Sequence, residues 1–581
     1  ITSGGSNVAI GYNSLGTEDG HGFNTAVGYQ ALKFLNAGAD AYNVAVGYQA
    51  GVAVTTGVQN VIMGGRAGDA LTDADYNVAI GDQALSADTL GSQSTAIGYA
   101  ALFYQNFTTA TNSLNTAVGY FAGLNTTTGE QNTLIGGQSG KALQTGVQNV
   151  AVGVDSLESD TDGCRNVAIG YNALTTQNFT SATNSENTAV GWSAGEAVTT
   201  GISNTLIGVR AGDALTDADY NIAIGRDTLG TDTKGNKSVA IGSFALKDQN
   251  FTTSTDAYNV AVGYDAGRTL TTGDKNVFVG GLAADAITTG SRNVAIGYAS
   301  LSSDDLGSRT VAIGFGALDT QNYATATDSY NVAVGYDAGA AVTTGTANTF
   351  IGALAGDGTD DGNENTALGM SALTSNCGDN NTAVGHSALV ACTGASNTAF
   401  GHDAGAQITS GSNLNAFGKD SSLTGSPGGA ATTGSNAIYL GDENITAAYI
   451  QVDWTVTSDE RDKTDFTALD IGLDFVKAMK PYTFKWDKRS KYGDKRADGY
   501  DLDAITSDGT HKEDWLDLGF KAQDVKALEE AANYKIADKT NLTVSITDDG
   551  KQYGMKYAKL VPILVKAIQE LEARVATLEG E

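Results

Sequence analysis

Proline is nearly missing from this chain, with 3 in 581 residues, beside 3 cysteines, 4 histidines and 4 tryptophans. Three cysteines cannot close a full disulfide framework, and no CxxC pair marks a zinc site. No apolar run approaches the roughly 18 residues that a membrane-spanning helix needs. The chain opens Ile1-Thr2-Ser3-Gly4-Gly5 with no apolar targeting segment, which suggests a processed chain with an attachment region upstream. Positive charge is scarce: 34 Lys and Arg face 65 Asp and Glu, a net charge of −31. Such a surface repels nucleic-acid phosphates and anionic lipid, so neither nucleic acid nor membrane insertion is expected. A length of 581 residues implies more than one domain.

The composition changes near residue 457. Residues 458–581 carry 20 basic and 25 acidic side chains, a net −5, and the first 457 residues carry the remaining −26. The first part is dominated by Gly, Ala, Thr and Asn and holds one proline, Pro427; the second contains Trp, Lys and long apolar side chains.

The first part is a repeat. Asn7-Val8-Ala9-Ile10-Gly11-Tyr12 returns as Asn24-Thr25-Ala26-Val27-Gly28-Tyr29 and runs on to Ala416-Phe417-Gly418, in 24 copies. The usual spacing is 17 residues. The steps 98 to 119, 170 to 191, 242 to 263 and 314 to 335 are 21, so three short units and one long unit make a superperiod of 72. Side chains alternate within each copy as an extended strand requires. A unit this short cannot bury a face alone, so equivalent strands must stack in parallel as a β-solenoid. At parallel-strand spacing 24 coils give a rod of roughly 115 Å. Asn precedes the strand in 20 of the 24 copies, where stacked side-chain amides would satisfy the turns. The near-absence of proline fits, since proline removes ladder donors. The aromatic after the glycine (Tyr12, Tyr29, Tyr48, Tyr120, Tyr171, Trp192, Tyr264, Tyr336) is expected to stack along one edge. The central Ala enlarges once per superperiod, at Ile62, Leu134, Leu206, Phe278 and Phe350. A face that otherwise admits Ala alone suggests that small residues meet neighbouring chains in an intertwined trimer. The repeat resembles the heads of trimeric autotransporter adhesins over residues 7–418, although those coils are shorter and no membrane β-barrel pattern follows here.

Each long coil adds Gln-Asn-aromatic, at Phe107, Phe179, Phe251 and Tyr323. These loops would project in a row as receptor-contact loops suited to carbohydrate stacking, or the rings would tuck over the coil edge. Acidic turns such as Gly68–Asp75, repeated at 212–219, offer oxygen ligands but lack a calcium-loop pattern and read as a solvated edge. Cys377 and Cys392 fall on successive coils, where they either pair or pack as reduced small hydrophobes, the reading preferred here. His386 and His402 occupy the aromatic position and read as ladder members. No catalytic constellation, metal set or cofactor motif stands out in the shaft. Paired carboxylates of a polysaccharide depolymerase remain an open reading.

After Gly418 the repeat gives way to a neck, 419–457, rich in Gly and Ser, in which Ala437–Gly441 and Tyr449–Val456 read as strands. Then follow Ser458-Asp459-Glu460-Arg461-Asp462-Lys463, Ala468-Leu469, Pro481-Tyr482-Thr483-Phe484-Lys485-Trp486 and Gly519-Phe520-Lys521-Ala522-Gln523-Asp524-Val525. From Ser458 to the end the chain resembles the intramolecular chaperone domains at the C-termini of endosialidase tailspikes, phage tail fibres and neck appendages. That resemblance implies a trimeric chaperone that brings the upstream β-structure into register and then cuts itself off. It implies a scissile bond between Ser458 and Asp459, Ser458 as nucleophile, Lys463 as base, and Asp459 and Arg461 as orienting groups. The chemistry is intelligible: a hydroxyl is a weak nucleophile until a base takes its proton, and a desolvated lysine serves as that base. The competing reading is a helix start, with Ser458 as cap. In the closing helix Val561, Leu564, Ile568, Leu571, Val575 and Leu578 are spaced 3, 4, 3, 4 and 3, a coiled-coil seam.

The expected protein is thus mainly β: a parallel β-solenoid or β-roll shaft (1–418), a neck (419–457) and a small α+β chaperone (458–581) ending in a trimeric coiled-coil helix. The function this implies is a homotrimeric phage tail fibre or spike. It would fold in the host cytoplasm, join other virion tail proteins through an upstream region, and bind a host surface glycan or other receptor outside the cell. Its chemistry would be a single self-cleavage. A bacterial trimeric adhesin, which would need a membrane barrel, and a depolymerase spike are the alternatives.

Overall fold

The computed structural model describes residues 5–452, 454–495, 497 and 499–580. The chain divides into two units, Ile1–Tyr330 and Asn331–Glu581. Both carry parallel β-solenoid, about 24 turns in all, and the second also contains the C-terminal α+β region.

In the first unit three-residue strands run from Val8–Ile10 to Val311–Ile313. Each pairs in parallel with its successor, as in Thr25↔Val44, Ala26↔Ala45 and Val27↔Val46. The Asn ladder lies beside them. The Asn43, Asn60 and Asn77 backbone N–H groups donate to the Oδ1 of the preceding Asn at 3.0, 2.9 and 2.9 Å. Asn60 and Asn77 Nδ2 donate to the turn carbonyls of Ala74 and Gly91 at 2.8 and 2.9 Å. Each amide thereby satisfies buried backbone groups in two places, which is why few other residues serve here. The aromatic column is also present, with Tyr12, Tyr29 and Tyr48 stacked at centroid spacings of 5.3 and 5.4 Å.

The strand glycine is fixed by close approach. Gly136 has φ +138°, and a Cβ there would lie 2.3 Å from the carbonyl oxygen of Gly153 in the next coil. Beyond the strand the chain turns through left-handed residues, such as Gln30 (φ 58°) and Leu32 (φ 49°). Each non-glycine residue in that region costs about 1–2 kcal/mol. Coil-to-coil bonds such as Gln30 N–H to Tyr12 O (2.8 Å) and Leu32 N–H to Ala50 O (3.1 Å) offset the cost.

The central Ala corrects one expectation. Ala26, Ala45, Ala79 and their enlarged counterparts Ile62, Leu134, Leu206, Phe278 and Phe350 are all fully buried within a single chain. They point inward, against turn leucines such as Leu32, Leu85 and Leu102, which are buried as well. Smallness here reflects the narrow interior of one coil rather than contact with a neighbouring chain.

A second correction concerns Phe107, Phe179, Phe251 and Tyr323. Their exposures are 5%, 7%, 8% and 4%, so these rings are not presented as receptor contacts. The long coil closes over them through a buried network. Asp88 Oδ1 accepts from the N–H groups of Gly91 (3.0 Å) and Phe107 (3.1 Å), and its Oδ2 accepts from Gln105 Nε2 (2.6 Å). Gln105 Oε1 in turn accepts from Asn115 Nδ2 at 2.9 Å. The same Asp–Gln pair recurs at Asp160–Gln177, Asp232–Gln249 and Asp304–Gln321.

Burial pushes the carboxyls of Asp88, Asp160 and Asp304 above their ordinary range, against the opposing pull of these hydrogen bonds. It pushes Asp213 up to about 6. A raised carboxyl means that the folded chain binds a proton before the unfolded chain does. Stability therefore rises as pH falls through the folded values toward the ordinary value of 3.8. Thermal unfolding of the solenoid is expected to move up by a few degrees between about pH 7.5 and about pH 5. A fall in the midpoint across that window would contradict the assignment.

In the second unit parallel strands continue from Val332–Val334 to Leu414–Phe417, and the ladder gains one further strand, Ala437–Leu440, in register with Leu414–Phe417. The solenoid thus runs past residue 418 into the neck, where Ser421, Ser422, Ser426 and Ala431 are buried. The strand expected over 449–456 does not form; Asp453 lies outside the described residues, and Tyr449, Val452, Trp454 and Val456 are 97%, 74%, 73% and 82% exposed.

The C-terminal region holds helices α1 (Leu473–Ala478), α2 (Ala522–Ala531) and α3 (Leu560–Glu579), with antiparallel pairs Pro481–Phe484/Asp517–Phe520 and Val544–Ile546/Tyr553–Met555. Its core is Ile471, Phe475, Val525, Val544, Leu560 and Ile563. The tip of the second pair reaches the last solenoid strand. Tyr439 Oη donates to Asp548 Oδ2 at 3.1 Å, and Ala430 N–H donates to Asp549 Oδ2 at 3.3 Å. Burial, and then the charge of Asp548, raise the Tyr439 hydroxyl well above its ordinary range, which keeps it a donor.

Candidate functional site

The Ser458 segment sits just before a single 3-10 turn, Glu460–Asp462. The capping residue is Asp459, not Ser458. Its Oδ1 accepts from Arg461 N–H at 2.9 Å, and its carboxylate grips the Arg461 guanidinium through Nε (3.0 Å) and Nη2 (2.6 Å). That hydrogen bonding holds the Asp459 carboxyl below the usual range. Freed from capping, Ser458 faces the other way. Lys463 Nζ hydrogen-bonds Ser458 Oγ and also donates to the Ser458 carbonyl oxygen at 3.2 Å. The four residues named from the sequence thus form two interlocked pairs, an ion pair that shapes the turn and a hydroxyl–amine pair that meets the Ser458–Asp459 peptide. Both Ser458 and Lys463 are exposed in the single chain.

Helix α3 has two apolar faces. Leu560, Ile563 and Ala567 are buried against the module. Val561, Leu564, Ile568, Leu571, Val575 and Leu578 form an adjoining seam and are 43–86% exposed. The seam read from the sequence is therefore present and exposed, with no partner covering it among the described residues.

In the shaft the acidic turns bond to their neighbours. Asp75 Oδ1 accepts from Val58 N–H at 2.8 Å and Asp219 Oδ1 from Ile202 N–H at 2.9 Å, so these carboxylates knit adjacent coils. Cys164, Cys377 and Cys392 are free and buried, and burial pushes the Cys392 thiol up to about 11. His386 and His402 stack at 4.8 Å in the aromatic column. Sequence reasoning missed the buried Asp88–Gln105–Asn115 network, whose signal was the Asp recurring at 88, 160, 232 and 304 in step with the long coils. A shallow groove on the shaft is lined by Arg210, Asp213, Asp227, Phe244 and Lys247.

A β-solenoid shaft joined to a small α+β module, with a Ser–Lys pair at the junction and a bare helical seam at the end, is the build of a tail-fibre-like protein with a C-terminal chaperone. Residues 458–534 match the family model of the chaperone of endosialidase, beginning at Ser458 itself. No curated protein and no solved structure matches the chain.

Proposed function

We propose that this chain is the shaft and release module of a homotrimeric virion tail fibre or spike, assembled by residues 458–581 and then separated from them. The observation that carries this reading is the exposed α3 seam at the end of a module that matches a chaperone family. Six apolar side chains at coiled-coil spacing gain their burial from other copies of the same chain. The exposed side chains of Tyr449, Ile450, Val452, Trp454 and Val456, just before Ser458, have the same need.

The cleavage step follows from the Ser458–Lys463 pair. Lys463 takes the hydroxyl proton, Oγ attacks the carbonyl carbon of the Ser458–Asp459 peptide, and the proton passes to the departing Asp459 amine. Water then hydrolyses the ester, leaving a carboxylate on Ser458 and a free amine on Asp459. Attack on its own carbonyl would close a four-membered ring, whereas attack on a neighbouring copy would not. An amine acts as base once water is withdrawn from it. Packing of three chains around the neck supplies that cover, so assembly would gate cleavage. Receptor binding on a host surface belongs to this reading through the aromatic column. Tyr48, Tyr120, Trp192, Tyr264 and Tyr336 are each about half exposed and offer flat faces for a glycan.

Sedimentation of the full chain carrying Ser458→Ala, which keeps the module attached, tests the assembly. A mass of three chains is expected. Ile568→Asp with Leu571→Asp should give single chains or aggregate, because each places a charge in the seam. A single-chain mass without the aspartates would overturn the reading.

A further inference from the structure

The first coil departs from the repeat at one carboxylate. Glu18 stands seven residues after its strand glycine, Gly11, as Asp88 stands seven after Gly81. Both are buried, and both accept the N–H three residues on: His21 N–H to Glu18 Oε1 at 3.0 Å, and Gly91 N–H to Asp88 Oδ1 at 3.0 Å. For Asp88 the second oxygen is satisfied by Gln105 Nε2 from the next coil. At the matching place above Glu18 the residue is Leu35, which has no donor. Glu18 is 1% exposed, and its Oε2 has no hydrogen-bond partner among the described residues.

The same coil adds a second orphan. The position of Gly91 is taken by His21, whose buried Nδ1 also has no hydrogen-bond partner among the described residues. His21 Nδ1 lies 3.8 Å from Glu18 Oε1, too far for a hydrogen bond. It is close to the separation of two ligands on one metal ion, which at bond lengths of about 2.0–2.2 Å is roughly 3.0–3.5 Å. Ligand atoms of Glu18, Asp19 and His21 all fall within 4.8 Å of one another. A buried carboxylate oxygen without a donor is costly, and a cation removes that cost.

We propose that Glu18, His21 and Asp19 form a binding site for a divalent transition ion, with Zn2+ the best match to one imidazole and two carboxylates. The site replaces with a metal the glutamine that every later long coil uses. It would pin the first coils of the shaft, where the ladder has no preceding coil of its own to pair with among the described residues.

The probe is Zn2+ alone, titrated into the full chain by calorimetry. A His386→Ala/His402→Ala background removes the other histidine pair, which with Asp403 could also hold an ion. One Zn2+ per chain is expected. His21→Ala should weaken binding at least about tenfold. Leu35→Gln should do the same by restoring the amide that Asp88 receives from Gln105, and it should leave thermal unfolding of the metal-free shaft unchanged or raised. If the background protein takes up no Zn2+, or if both variants bind it as tightly as their parent, the site does not exist. Unaltered circular dichroism of both variants separates loss of a ligand from loss of the coil.

Discussion

Full-length chain carrying Ser458→Ala is expected to stay whole under conditions in which the unaltered chain separates into a shaft ending at Ser458 and a module beginning at Asp459. The proposed mechanism makes the effect all-or-none, because it takes the Ser458 hydroxyl as the attacking group and the hydroxyl that Lys463 Nζ contacts is that of Ser458. Lys463→Ala should give the same result, since Lys463 Nζ is the group in contact with both Ser458 Oγ and the Ser458 carbonyl. Arg461→Ala should slow cleavage without abolishing it, because the Asp459–Arg461 pair shapes the turn and does not touch the hydroxyl. Intact mass under denaturing conditions reads each case. Equal cleavage of Ser458→Ala and unaltered chain would remove Ser458 from the chemistry; no cleavage in either would make the module a permanent trimerisation device.

The second large effect lies in the shaft. Gly136→Ala is expected to destabilise the solenoid by about 3–5 kcal/mol, combining a φ of +138° with a Cβ 2.3 Å from the Gly153 carbonyl oxygen. The next residue supplies the control. A Cβ on Gly137 meets nothing within 4 Å, so Gly137→Ala should be neutral or stabilising by up to about 1 kcal/mol. Thermal unfolding of the two variants side by side settles the matter, and similar midpoints would show that the coils can separate at a strand glycine at little cost.

What the sequence made legible is what the backbone demands in every coil. The strand, its glycine, the Asn ladder and the aromatic column each recur because each satisfies the same groups 17 residues apart. The inward direction of Ala26 and Phe278 was not legible in the same way. A small side chain answers equally to a narrow interior and to a close neighbour, and the deciding partners, turn leucines such as Leu32, hold a left-handed conformation that the linear pattern does not announce. Phe107 was ambiguous for a related reason, since its burial depends on Asp88, 19 residues away. The alternation read over 449–456 lies in the sequence, but a strand needs a second strand, and none pairs with it among the described residues. At the site, the Ser458–Lys463 pairing was readable from a spacing of five. The role of Asp459 as the cap that turns Ser458 toward the lysine required coordinates.

The 72-residue superperiod has an evolutionary consequence. Asp88, Asp160, Asp232 and Asp304 meet equivalent partners, so removing or duplicating a stretch of 72 residues would rejoin the chain with each of these buried aspartates still facing a glutamine. A gain of 17 residues would instead set a long coil's aspartate against the wrong donor. Unequal recombination between these related segments would therefore change the length of the solenoid in steps of four coils, about 19 Å each, without a core having to be repaired.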